Sequence, residues 1–322
     1  MAIVKPFVCV HPAEGYFKEV AALPYDVYSR AEAKAFVADK PYSFLNIDRP
    51  ETQFPDEQDM YADCVYEKAA SMLRQWQKDG ILKQEEKACY FIYSLTMKGR
   101  EQTGIVGCSA VDDYINDTIR KHEFTLEKKE LDRIHHVDVC SAQTGPIFLA
   151  YRNQENIRNL VKQVKQTPPM FEFICDDHVR HVGWKVEDTS INQALEAAFA
   201  EIPRTYIADG HHRCASAVKV ALKRRKENPD YTGKEDFNYF LSILFPDDEL
   251  RILPYNRLVR DLNGYTTDEF LHKVEEKFRI KRMSTAVTPQ KKGTYGMFLE
   301  NRWYLLEQRP DFVKDDCVEG LD

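Results

Sequence analysis

The chain has no unbroken apolar run near the roughly 18 residues that a membrane-spanning helix requires, so no segment reads as a membrane span. Its first ten residues, MAIVKPFVCV, are interrupted by Lys5 and Pro6 and lack the apolar stretch of a secretory leader. No two of the eight cysteines are spaced CxxC. The cysteines therefore read neither as a zinc site nor as the disulfide framework of a small secreted domain. They read as small buried apolar residues of a cytoplasmic protein in a reducing environment. Positive charge is not in excess: 45 Lys and Arg face 52 Asp and Glu, for a net charge of −7. That argues against broad nucleic-acid binding, which needs a basic footprint. Neither a GxxxxGK[ST] phosphate loop nor a Rossmann glycine fingerprint occurs.

What is present is the composition of a globular protein, 43% hydrophobic and 30% charged. The length of 322 residues fits two domains or one large elaborated one. Ser29 and Glu32 form a capping box before a helix, and Thr266 and Glu269 form another. The segment PYSFLNIDRPE reads as a short strand, and residues 57 to 79 as a helix with Tyr61, Val65, Met72 and Trp76 on one face. Two hairpins are expected, one turning at Lys98-Gly99-Arg100 and one near Asp176-Asp177. Residues 111 to 165 read mainly as helix, interrupted around SAQTGPIFLAY; FNYFLSILF reads as a buried strand. This mixture predicts an α+β fold rather than a doubly wound parallel sheet. Three regions are expected: 1–100, contributing loops to a site; 101–260, the core; and 261–322, an α+β segment. The last residues, DDCVEGLD, supply no closing element, so a continuation is expected.

The densest chemistry lies in TYIADGHHRCASAVKV, residues 205 to 220. A short strand leads into the turn pair Asp209-Gly210, and a helix begins near His211. Its apolar face is Cys214, Ala217, Val218, Ala221 and Leu222. Free amides and the dipole at a helix start attract anions. Arg213 adds a bidentate fork, and His211 and His212 can donate hydrogen bonds. With Gly210 these residues form a candidate phosphate cradle, with the carboxylate of Asp209 at its lip to hold Mg²⁺ or handle a proton. In the competing structural reading Asp209 caps the helix and the histidines are exposed. A second cluster is His122-Glu123 in IRKHEFTLEKKELDR. It is either part of a solvated charged helix or a base, Glu123, that removes a hydroxyl proton.

Asp26, Asn46 and Arg49 concentrate polarity in a region of loops and are candidates for contacting substrate; a structural turn is the alternative for Asp26. The loop around Thr144 offers backbone N–H groups to a substrate carboxylate. Cys214 is expected to be a buried thiol rather than a nucleophile. His178 and His181, beside Asp176 and Asp177, have the residue types of metal ligands. Their spacing on a strand directs them to opposite faces, which favours a structural role. His135 and His136 are expected at the surface of a charged helix.

KHE followed downstream by YIADGHHRCASA resembles the free-serine kinase family, whose fold is shared with ParB partition proteins and sulfiredoxin. Over most of residues 1 to 260 the chain is similar to the DUF1015 family, on ALPYDVYSRAEA, SFLNIDRPE, IRKHEFT, DR, AQTGPI and DGHHR. The kinase resemblance implies a ParB/sulfiredoxin-like nucleotide-binding core elaborated by an N-terminal region and inserted hairpins. It implies a phosphotransferase using ATP or ADP with Mg²⁺ on free serine, phosphoserine or a similar small hydroxyl metabolite, in either direction. Glu123 would deprotonate the hydroxyl, His122 would orient Glu123 or touch substrate, and Asp209 would be the second essential acid. His211, His212 and Arg213 would hold the nucleotide phosphates. The two motifs stand much further apart here than in the kinase family. The alternative is a ParB-like nucleotide-binding switch without metabolic turnover, which would want a basic face.

Overall fold

The computed structural model describes residues 1–125, 127–253 and 256–312. They divide into two compact units, Met1–Leu250 and the chain from Arg251 onward. The continuation expected past DDCVEGLD falls outside the described residues.

The first unit opens with β1 (Val4–Lys5), β2 (Val10–Pro12) and the single turn α1 (Phe17–Val20). Helix α2 (Arg30–Val37) starts at the Ser29/Glu32 capping box, with both reciprocal bonds made. The turn α3 (Leu45–Asp48), helix α4 (Asp63–Lys78) and strand β3 (Leu82–Gln84) follow. The hairpin β4 (Phe91–Met97) and β5 (Arg100–Ala110) then leads through α5 (Val111–Ile115) to the short β6 (Ile119–Arg120). The division at 100/101 falls at the turn of this hairpin, and both of its strands lie in one sheet. Next come α6 (Glu127–Cys140), β7 (Ile147–Tyr151), α7 (Glu155–Val164) and the hairpin β8 (Phe171–Ile174) and β9 (Arg180–Lys185). Helix α8 (Thr189–Ala200), β10 (Thr205–Asp209), α9 (His211–Glu227) and β11 (Tyr239–Pro246) complete the unit.

Nine strands form the main sheet, in the order β6-β10-β7-β11-β5-β4-β9-β8, with β1 added beside β5. Strand β10 runs parallel to β6, and β11 parallel to β7; the other pairs are antiparallel. The fold is therefore α+β with a mixed sheet. Alternate residues of its inward face, such as Ile147, Leu149 and Tyr151 of β7 and Phe240 and Leu244 of β11, share one core with α7, α8 and α9. Two hydroxyl pairs, Ser94–Thr103 and Ser109–Ser242, satisfy their own buried oxygens within the sheet. A second core joins α4 to Ile47 and Cys140.

Two expectations, for PYSFLNIDRPE and His136, are corrected, and the expected interruption around SAQTGPIFLAY is present and acquires a structure. PYSFLNIDRPE forms α3 and a 3₁₀ turn, not a strand. The Asn46 amide donates to the carbonyls of Lys40 and Ser43, and this local bonding competes with extended backbone. The interruption around SAQTGPIFLAY holds a sheet strand, β7, whose alternating burial is the strand period over too short a run to stand out beside helices. His136 is wholly buried, with Nε2 2.8 Å from the Ile47 carbonyl, whereas His135 is exposed. A helix packed between α4 and α9 has two buried faces, so its charged residues do not mark a solvated cylinder.

The second unit carries α10 (Thr267–Glu275), capped by Thr266 and Glu269, and an antiparallel sheet of β12 (Phe278–Met283), β13 (Thr294–Leu299) and β14 (Arg302–Gln308), with β14 central. Tyr304 and Leu306 of the central strand are its buried apolar anchors.

Candidate functional site

Strand β10 ends at Asp209, and Gly210 turns the chain with φ of 89°. This is the left-handed region, which a side chain disfavours. A Cβ at Gly210 would also lie 3.1 Å from Arg213 Nε. Helix α9 starts at once, with no side-chain cap. Its first internal bond runs from the Cys214 N–H to the Gly210 carbonyl, so the amides ahead of Cys214 have no intrahelical partner. Arg213 folds back over the turn. Its Nη2 donates to Asp209 Oδ2 at 2.6 Å and its Nη1 to the Pro146 carbonyl at 2.7 Å. The loop holding Thr144 and Gly145 therefore lies beside the helix start.

The His122-Glu123 segment arrives at the same place for a topological reason. Strand β6 pairs in parallel with β10, Ile119 opposite Thr205 and Arg120 opposite Tyr206. Parallel neighbours release their chains at the same edge of a sheet, where ligands of open α/β sheets are commonly held. The His122 and His211 rings meet edge to face, with centroids 4.5 Å apart. The His122 N–H points at His211 Nε2 from 3.5 Å, and Glu123 Oε2 lies 3.5 Å from His211 Nδ1. Burial lowers the His211 pKa and His122 adds to the effect, against the opposing pull of Glu123 and Asp209. The ring is thus neutral at pH 7. A tautomer protonated at Nδ1 suits both contacts, with Nε2 accepting and Nδ1 facing the carboxylate.

His212 faces a cavity of about 350 Å³. Its walls include Tyr25, Asp26, Arg49, Asp132 and Arg133. Arg133 is nearly sealed from solvent. Burial opposes its charge most strongly, but Asp132 at 2.8 and 2.9 Å, together with Tyr25 and Asp48, raises the pKa. Its guanidinium sits 4.1 Å from the Tyr25 ring centre. Asp132 also accepts from Tyr66 Oη at 2.9 Å. Arg49 donates to Glu51 and, through Nη1, to the carbonyls of Tyr25 and Tyr28. It thereby fastens the turn that carries Asp26 along the cavity wall.

A family model described as DUF1015, a protein of unknown function, matches residues 4–322. The chain belongs to the DUF1015 family. No curated protein and no solved structure matches it.

In this DUF1015 protein Glu123, His122, Asp209, Gly210, His211 and Arg213 converge at the start of α9, with Thr144 in the adjoining loop and His212, Asp26 and Arg49 around the cavity. Asn46 is not among them. It is buried, its amide nitrogen bound to backbone carbonyls and its oxygen accepting from Gln53. Cys214 is sealed in the core, where burial pushes its thiol well up, as expected of a structural thiol. Leu222, expected on the apolar face, is 40% exposed. Sequence reasoning gave no role to Asp132, Arg133 or Tyr66. The available signal was the adjacent Asp-Arg pair, but neighbours in a helix do not ordinarily face each other. A larger cavity of about 720 Å³ is lined in part by His11, Glu85 and Lys185. Its Glu85 is already paired with both His11 and Lys185, at 2.9 and 2.6 Å.

Proposed function

We propose that this DUF1015 protein is a nucleotide-dependent phosphotransferase acting on a small hydroxyl metabolite, with free serine or phosphoserine as the substrate and either direction of transfer open. The observation that carries the reading is the placement of Glu123 Oε2 3.5 Å from His211 Nδ1, at a helix start that also bears Asp209 and Arg213. Two carboxylates from distant segments thus flank one anion-binding terminus. In the proposed reaction the α9 amides and Arg213 hold the nucleotide's phosphates, since phosphoryl transfer is mostly positioning and charge stabilisation. Glu123 accepts the proton of the substrate hydroxyl, whose oxygen takes the terminal phosphoryl group as the nucleotide leaves one phosphate shorter, ADP from ATP or AMP from ADP. The neutral His211, with the His122 ring packed against it, fixes Glu123. Arg213 occupies Asp209 Oδ2, which leaves Oδ1 as a hard oxygen donor of the type that Mg²⁺ takes beside phosphate oxygens. Bound there, Mg²⁺ would neutralise phosphate charge. The cavity beside His212 is of a size for a small amino acid. A ParB/sulfiredoxin-type core is the fold assignment that accompanies this proposal.

The test is phosphorus NMR of the purified protein with Mg²⁺, ATP or ADP, and serine or phosphoserine. The reading expects phosphoserine to form or to be consumed, and this to vanish in Glu123→Gln and Asp209→Asn. Tight nucleotide binding with no turnover of any hydroxyl metabolite would instead support a nucleotide-binding switch.

A further inference from the structure

The hairpin of β8 and β9 lies outside the site described above, yet it gathers three ligand types at its tip. Cys175 donates its N–H to the Val179 carbonyl and accepts from the His178 N–H, each at 3.0 Å. His178 takes φ of 64°, so the turn closes with a left-handed residue, as three-residue hairpin loops do. Asp177 Oδ1 accepts from the Val179 N–H at 3.0 Å, which leaves Oδ2 to turn outward. Phe173 lies opposite His181 in the register, and Cys175, two residues beyond Phe173, shares that face.

The result is a cluster in which one ligand atom each from Cys175, Asp177 and His181 lies within 4.8 Å of the others. His181 is held for such a role. Its ring stacks on Phe173 with centroids 5.0 Å apart, and Nδ1 lies 2.6 Å from Tyr93 Oη. Its Nε2 is buried and has no hydrogen-bond partner. A buried polar atom left unpaired costs on the order of 1–3 kcal/mol, and a hydrogen bond to the other ring nitrogen is how metal-bound histidines are oriented. The His178 and Asp176 positions that the sequence offered are not part of the cluster; Asp176 lies 3.6 Å from Lys40 Nζ.

We propose that Cys175, Asp177 and His181 bind one divalent cation of the zinc class, with water completing a tetrahedron. Metal–ligand bonds of about 2.0–2.3 Å place tetrahedral ligand atoms under about 4 Å apart. The exposed Asp177 closes the remaining gap by a small side-chain rotation. Sulfur and imidazole favour zinc, cobalt or copper over magnesium and calcium. Burial lowers the His181 pKa, so the imidazole is already neutral at pH 7. Burial, with Asp177 and Asp176, raises that of Cys175 against the weaker pull of Lys18. The thiol must therefore release its proton to solvent as the sulfur–metal bond forms.

The test is titration of reduced, chelator-treated protein with Zn²⁺ and Co²⁺. One equivalent should bind, and the cobalt form should show a thiolate charge-transfer band with the visible spectrum of a tetrahedral site. Cys175→Ser and His181→Gln should abolish both, Tyr93→Phe should weaken binding by about tenfold, and His178→Asn should leave it unchanged. The proposal is overturned if no saturable single equivalent binds, if the charge-transfer band survives Cys175→Ser, or if it is lost in His178→Asn. Should His181→Gln fail to fold, the half-exposed Cys175→Ser decides. None of these readouts depends on phosphotransfer.

Discussion

Helix α9 carries charged residues at both ends, and the two ends are built differently. At its C-terminus Lys223 reaches Asp138 at 2.6 Å, Arg224 reaches the Asp138 carbonyl and the Ser141 hydroxyl, and Arg225 lies between Asp112 and Asn238, 2.7 Å from each. These cations also suit the negative end of the helix dipole. Midway, Glu130 is buried and accepts from Thr125 and Lys219. At the N-terminus the side chains of Asp209 and Glu123 are 64% and 56% exposed, and no side chain caps the helix. Asp138, the carboxylate shared by two cations at one end, is only a quarter exposed, whereas the two carboxylates at the other end each keep an open face. Ion pairs alone do not distinguish a structural end from a candidate site; exposed carboxylates beside an uncapped helix start do.

The largest effect should come from removing those carboxylates. Glu123→Gln or Asp209→Asn should lower phosphotransfer by about 10²–10⁴-fold, while the unfolding free energy moves by no more than about 0.5 kcal/mol. A stability loss as large as the activity loss would show that the two ends do not differ in kind. Glu130→Ala should do the reverse. Urea unfolding should register a loss of about 1–3 kcal/mol, since Thr125 and Lys219 lose their shared acceptor, with a nucleotide Kd close to that of the parent.

Acid should separate the regions next. Burial lowers the pKa of both His211 and His136, with His122 and Arg133 respectively adding to it. The folded chain therefore binds fewer protons than the unfolded chain. Their contribution to stability is fully present above the unfolded histidine value near 6.5 and is lost as pH falls below it. The limiting slope is about 1.4 kcal/mol per pH unit for each group. Unfolding midpoints at pH 7.5 and 5.5 measure this, and His136→Gln should flatten the decline; an unchanged slope would remove His136 from the account. Smallest of all, Lys223→Ala should leave the denaturant unfolding midpoint nearly unchanged, because its side chain is half exposed and the pair is screened.

Much of the fold was legible where a local signal had little competition. The capping boxes at Ser29 and Thr266, both hairpins, the helix ending at Asp79-Gly80 and the buried β11 all follow from spacing and turn chemistry. The segments that escaped were decided by contacts that residue spacing does not reveal. Residues 44 to 48 curl because Asn46 finds carbonyl partners within its own loop, and β7 is a strand because it pairs with β10 and β11 on its two sides. The helix start at Asp209-Gly210-His211 could be read from one stretch of sequence. The approach of Glu123 could not be derived from composition or periodicity, because it depends on the β6–β10 pairing. Asp132 and Arg133 were hidden for a similar reason: their meaning comes from Tyr25 and Tyr66, each far away in the chain.

The pairing of β6 with β10 also bears on how freely the intervening sequence can vary. Two residue pairs fix where both chains leave the sheet, so the length of the excursion between them is decoupled from the geometry at its ends. Closing a longer excursion adds an entropy that grows only with the logarithm of its length. Added hairpins and helices can therefore accumulate between Arg120 and Thr205 while the two exits stay side by side.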